Sequence, residues 1–165
     1  MRKSFYLIIL ISAILAGCGV YSFTGAHIEG KTINIHVLEN RARNVVPTLS
    51  PTLTDKIRSR ILSQTGLSPV TATGADYDLS GSITSYEVIV SGVQNTQQAA
   101  KNRLTITVSI TFTNKLNDKN SFDQSFSRFS DFDATQNLQN VQAALIEDIG
   151  NQLADDIFNK AFVNW

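Results

Sequence analysis

The sequence predicts an α+β fold in which two helices pack on one face of a four-stranded, mostly antiparallel sheet, in the order β-α-β-β-β-α. Three observations carry that expectation. Strict alternation over residues 103–113 marks a half-buried strand; apolar stripes at helical spacing mark 49–61 and 138–157; turn-forming composition separates the strands between them.

The elements follow in order. From Thr32 to Leu38, Ile33, Ile35 and Val37 alternate with Thr32, Asn34 and His36, the period-2 pattern of a strand that faces His36 outward. After a polar stretch holding Arg41 and Arg43, Ser50-Pro51 reads as an N-cap followed by proline at the first helical position. Leu49, Leu53, Ile57 and Ile61 share one helix face, and Gly66 suits the left-handed cap that ends it. Residues Tyr77 to Val90 form a long strand whose apolar parity switches from Tyr77, Leu79 and Ile83 to Tyr86, Val88 and Val90, which a bulge near Thr84–Ser85 explains.

The next strand is the clearest. Leu104, Ile106, Val108, Ile110 and Phe112 point one way, while Arg103, Thr105, Thr107, Ser109, Thr111 and Thr113 form a wet face. That hydroxyl face is either a solvated surface or a docking face with little charge to desolvate. Asn114 to Asn120 is a turn by composition, and Phe122 to Phe129 returns as the last strand of a meander, with Phe122, Phe126, Phe129 and Phe132 mostly assigned to core. A helix from about Gln136 to Phe162 then places Leu138, Val141, Leu145, Ile149, Leu153 and Ile157 on one side and Asp148, Asn151, Asp155 and Asn159 on the other. Asp156 falls within the apolar stripe, where an acid needs a partner, and a salt bridge is the expected one. Ser91 to Ala100, rich in Gln, Asn, Thr and Ala, joins the two longest strands.

The beginning of the chain carries an address. Arg2 and Lys3 precede an apolar run from Phe5 to Leu15, and Leu15-Ala16-Gly17-Cys18 is a lipobox, so residues 1–17 are expected to be a lipoprotein signal peptide. The apolar run is about half the roughly 20 residues that span a bilayer. Diacylglycerol on the Cys18 thiol and an acyl chain on its freed amine give more than one chain, enough for stable anchoring. Residues 18–30 then form a linker and 31–165 a single domain, long enough for its own core. Cys18 is the one cysteine of the chain, so no internal disulfide is available.

Chemistry is sparse. The mature chain has net charge about −2, which argues against nucleic acid as a partner. His27 lies in the linker and His36 on an exposed strand face, leaving no base for a nucleophile; no glycine-rich loop follows a strand, and metal-ligand spacing is absent. No enzyme activity and no metal or cofactor are expected beyond the lipid on Cys18. The basic residues are more suggestive. Arg41, Arg43, Lys56, Arg58 and Arg60 cluster in sequence, and Lys101 and Arg103 flank the polar insert, so Arg41, Arg43, Arg58, Arg60 and Arg103 are candidates for an anionic, phosphate-bearing ligand. A solvated helix face explains the same residues.

Three stretches of the mature chain resemble the LptE lipoproteins of lipopolysaccharide assembly in their Bacteroidetes form. They are Cys18-Gly19-Val20-Tyr21-Ser22-Phe23-Thr24-Gly25, Asn102-Arg103-Leu104-Thr105-Ile106-Thr107-Val108, and Asp156-Ile157-Phe158-Asn159 with Asn164-Trp165. The resemblance implies a two-helix, four-stranded domain on the periplasmic face of the outer membrane that plugs and supports the β-barrel LptD and binds lipopolysaccharide for delivery to the surface. The five arginines remain candidates by charge. Gly19 to Ser22 contain no acid, so the acidic stretch resembling a surface-export signal is missing and the periplasmic leaflet is favoured. The competing expectation is a lipid-anchored scaffold or ligand-binding module of another envelope system.

Overall fold

A computed structural model describes residues 28–71, 73–92 and 101–163. The lipobox with Cys18, His27, most of the polar insert and Asn164-Trp165 lie outside the described residues. The elements run β1 (Thr32–Ile35), β2 (Glu39–Asn40), α1 (Leu49–Thr65), β3 (Ser68–Pro69), β4 (Tyr77–Val90), β5 (Lys101–Asn114), a 3-10 turn (Asp118–Asn120), β6 (Phe122–Asp133) and α2 (Leu138–Phe162). The sheet order is β3-β1-β4-β5-β6, with β2 also paired to β4.

Two helices on one face of the sheet are as the sequence predicts, and the sheet is larger and more mixed. β2 and β3 add two strands of two residues each, and β1 pairs in parallel with both β3 and β4, while β4-β5-β6 is the antiparallel meander. Pairs that short carry no periodicity of their own.

The expected alternation of the first strand fails after Ile35. Ile35 pairs with Leu79 and Glu39 with Ser82, four steps along one chain against three along the other. The extra residue reverses parity, as one-residue slips do. Leu38 consequently enters the core at 1% exposure while Val37 stands at 64%. Thr54 Oγ1 holds this crossing by accepting from the Leu38 N–H at 3.1 Å and donating to the Ser50 carbonyl at 2.8 Å. The predicted bulge of β4 is present, with the register shifting between Ile83 and Ser85 so that Tyr86 turns inward.

α1 begins two residues earlier than its composition suggests, with Thr48 rather than Ser50 at the N-cap, and Ser50 donates its hydroxyl to the Leu38 carbonyl. Pro51 therefore sits in the first turn, where its missing N–H has no intrahelical acceptor to lose. Leu49, Leu53, Ile57 and Ile61 are fully buried, and Gly66 closes the helix at φ 66°. Asn137 caps α2 by accepting from the Gln139 N–H at 2.9 Å. The helices lie side by side in the same direction, bridged by Lys56–Glu147 at 2.7 Å and Arg60–Asp155 at 2.8 Å.

Beneath them, Leu104, Ile106, Val108, Ile110 and Phe112 of β5 form the floor of the core at 0% exposure. Tyr77, Phe112, Phe122 and Phe162 pack ring against ring at 5.4–5.8 Å between centroids. Among the four phenylalanines of the last strand, Phe122, Phe126 and Phe132 turn inward and Phe129 does not, being 47% exposed on the opposite face.

Candidate functional site

The face of the sheet away from the helices is lined by hydroxyls. Its rows are Asp78, Ser80, Ser82, Ser85 and Glu87 of β4, Thr105, Thr107, Ser109, Thr111 and Thr113 of β5, and Asp123, Ser125, Ser127, Phe129 and Asp131 of β6, aligned by the antiparallel register. The inward parity of β5 dictates this face, because whatever alternates with a buried row must point out. Thr107 and Ser127 hydroxyls meet at 3.0 Å, and Thr111 Oγ1 donates to Asp123 Oδ2 at 3.3 Å. The centre of the face thus carries hydroxyls and no charge, and its charges lie toward the two ends.

At one end Arg103 donates from Nε and Nη2 to the two oxygens of Asp131 at 2.7 and 2.9 Å and lies 3.7 Å from the Phe129 ring centroid. That bidentate contact holds the Asp131 carboxyl below the usual carboxylate range and raises the Arg103 guanidinium. At the other, Asn34 Nδ2 reaches Asp78 Oδ2 at 3.1 Å, and His36 Nε2 lies 3.1 Å from the same oxygen. His36 is exposed, as the alternation predicts, though it sits just past the end of β1. The Asn34–His36–Asp78 trio joins residues 42 to 44 positions apart, which sequence patterning does not reveal. No serine or threonine hydroxyl hydrogen-bonds to it among the described residues.

β4 outruns the helices. Gln142 near the start of α2 donates to the Tyr86 hydroxyl at 2.7 Å, and beyond that point Val88, Ile89 and Val90 are 40%, 54% and 65% exposed. The hairpin therefore projects an apolar strand end beside the N-terminal ends of both helices.

The five candidate arginines do not converge. Arg41 bonds Glu39 from Nε and Nη2, at 3.0 and 2.6 Å, in the loop before α1; Arg43 of the same loop is exposed with no ion pair among the described residues. Arg58 pairs with Asp55 at 2.8 Å and donates from Nη2 to the Ile35 carbonyl of β1 at 3.4 Å, whereas Arg60 faces α2, pairs with Asp155 and lies 5.4 Å from the Phe158 ring centroid. Arg103 is on the far side of the sheet. Closeness in sequence is a poor guide because a helix turns 100° per residue, and the carboxylates paired with Arg60 and Arg103 come from other elements. Asp156, the acid within the apolar stripe of α2, finds its expected salt bridge in Arg128 of β6, a two-pronged contact at 2.5 and 2.7 Å.

Among the described residues no group of three or more His, Cys, Asp and Glu is placed to hold a metal ion, and no helix is long and apolar enough to cross a membrane. An open groove of about 360 Å³ lies between the helices, lined by Thr48, Thr52, Ala143, Ile146 and Glu147.

A family model described as LptE, lipopolysaccharide-assembly, matches residues 30–161. The chain belongs to the LptE family. The match covers every strand of the sheet, all of α1 and α2 as far as Ala161. Three solved structures share the LptE-like fold at low identity. The minor lipoprotein of Acinetobacter baumannii is 15% identical, covering 81% of this chain and 93% of that one at a TM-score of 0.53. Rare lipoprotein B of Shewanella oneidensis is 16% identical over 78% and 92%, also at 0.53. A hypothetical protein of Chlamydia trachomatis is 6% identical over 82% and 99%, at 0.55. No curated protein sequence matches the chain.

Proposed function

We propose that this LptE-family protein is an outer-membrane lipoprotein that plugs and supports an LptD-like β-barrel and binds lipopolysaccharide for delivery to the cell surface. The family match over residues 30–161 carries this reading. Cleavage after residue 17 leaves Cys18 as the lipid anchor at the periplasmic face, residues 18–30 as the linker, and 31–165 as one domain without enzymatic activity or cofactor. The hydroxyl face of β4-β5-β6 is the docking surface in this reading. A barrel lumen requires a plug that gives up water cheaply, and Ser and Thr lose less on desolvation than charged side chains do.

Arg41, Arg43, Arg58, Arg60 and Arg103 are the proposed contacts for lipid A phosphates. Their dispersal ranks them: Arg43 has no carboxylate to surrender, whereas the other four must exchange one anionic partner for another.

Depletion in the native bacterium tests the function. Lipopolysaccharide should disappear from the surface and accumulate in the periplasm, and unchanged surface lipopolysaccharide would assign the protein to another envelope system. Arg43→Glu should weaken binding of lipopolysaccharide to the purified protein and steepen its loss with salt; equal binding would return Arg43 to the solvated surface.

A further inference from the structure

Twelve basic residues lie within the described chain, and six of them are paired with carboxylates: Arg41, Lys56, Arg58, Arg60, Arg103 and Arg128. Of the other six, Lys31, Lys115, Lys119 and Lys160 gather at one end of the molecule. Asp76 fixes the first two side by side, because its Oδ2 accepts from the Lys31 N–H at 2.7 Å while its carbonyl accepts from the Lys115 N–H at 3.0 Å. Lys119 follows in the 3-10 turn between β5 and β6. Lys160, in the last turn of α2, places Nζ 5.8 Å from the ring centroid of Phe122, the first residue of β6.

The same end is where the N-terminal segment leaves the fold. Thr32 adds its own N–H and hydroxyl to Asp76 Oδ2, each at 3.0 Å, and the Gly30 N–H donates to the Tyr77 hydroxyl at 3.1 Å. A Cβ at Gly30 would run into the Tyr77 ring, so the chain passes there as glycine. Residues 30–32 are thus tied to the fold by several bonds, and the point from which the linker departs is fixed. Around it stand two large apolar side chains, Leu116 at 48% exposure in the β5–β6 turn and Val163 at 46% at the end of α2. The nearby acids are Glu29, Asp118 and Asp123, all exposed, the last accepting from the Thr111 hydroxyl, and Asp76, whose carboxylate is engaged by Lys31 and Thr32.

We propose that this end of the domain, with Lys31, Lys115, Lys119 and Lys160 around exposed Leu116 and Val163, docks on a bilayer surface rich in anionic phosphate headgroups. Charge complementarity and the place of the tether select this occupant. Lysines carrying no ion pair keep their full charge for a surface potential that attracts each of them, and each contributes on the order of fivefold to surface binding. The eleven residues between Cys18 and Gly30 reach at most about 40 Å, so an anchored chain keeps this end within reach of its own leaflet. The projecting β4–β5 strand end then points away from that leaflet. The proposal rests on Cys18 as a membrane anchor.

The test uses the full-length lipidated protein reconstituted in vesicles of phosphatidylcholine, with or without phosphatidylglycerol. An environment-sensitive fluorophore is placed on Leu116→Cys and, as the control at the opposite end, on Val45→Cys, the lipid leaving no other free thiol. The expected result is a blue shift and headgroup-level quenching at 116 with phosphatidylglycerol, little change at 45, and loss of the response at high salt or in a Lys31→Gln, Lys115→Gln, Lys119→Gln variant that keeps its circular dichroism. A fluorophore at 116 that stays as exposed as in pure phosphatidylcholine, or a response that survives the three substitutions, overturns the proposal. Flotation with phosphatidylcholine vesicles reads the anchor separately; a chain that does not float contradicts the anchor, and the docking falls with it.

Discussion

The two faces of β5 are made by the same fourteen residues and do opposite work. On the helix side, five apolar side chains from Leu104 to Phe112 are fully excluded from water beneath α1 and α2. On the other side, threonines and a serine at the intervening positions stand partly open, bonded to neighbours such as Ser127 and Asp123. Stability is therefore concentrated on one face, because burial of apolar area dominates folding and hydroxyl pairs add little net free energy. The second face is left free to change without unfolding the protein, which is what a docking surface needs.

Substitutions on the two faces sharpen that contrast. Phe112→Ala removes a fully buried ring that stacks on Tyr77 and Phe122 and meets Phe162 edge-on, and should cost about 3–5 kcal/mol in denaturant unfolding. A cost below about 1 kcal/mol would mean that the helix-side core is not where stability resides. Asp76 comes next, through pH. The Lys31 N–H first, then the N–H and hydroxyl of Thr32, hold its carboxyl below the usual carboxylate value. A folded pKa below the unfolded one stabilises above the ordinary value near 4, and that contribution is lost as pH falls through the depressed folded value. Asp76→Asn should thus destabilise at neutral pH and converge with the unaltered protein in acid; a difference independent of pH would remove the carboxylate from the role given to it. The smallest effect belongs to the open face, where Thr107→Val should change stability by less than about 0.5 kcal/mol in the same unfolding assay.

How much of this was legible in the sequence depended on the range of each interaction. The β5 alternation, the stripe of α1, the Gly66 cap and the β4 bulge were readable because burial imposes its period on neighbouring residues. β2 and β3 were not, since two residues have no period and their pairing is set by β4 and β1. Alternation alone turns Val37 inward because it assumes an unbroken register, and one extra residue before Glu39 breaks it. The arginines looked like a cluster for the same reason in reverse: sequence shows Arg41, Arg43, Arg58 and Arg60 near one another, while Glu39, Asp55 and Asp155 decide which of them remain unpaired. The Asp76 contacts, spanning 44 and 45 residues, left no trace in the sequence pattern.

The central claim is that the fold of this LptE-family chain serves a barrel through its hydroxyl face. It is tested most directly by purifying the tagged full-length protein from native membranes in mild detergent, beside a variant carrying Thr107→Lys and Ser109→Lys. The predicted result is a large outer-membrane β-barrel retained by the unaltered protein and lost from the folded variant, because two ammonium groups would have to be desolvated at the centre of the docked face. A clean monomer with no barrel partner, or a barrel held equally by both proteins, would contradict it.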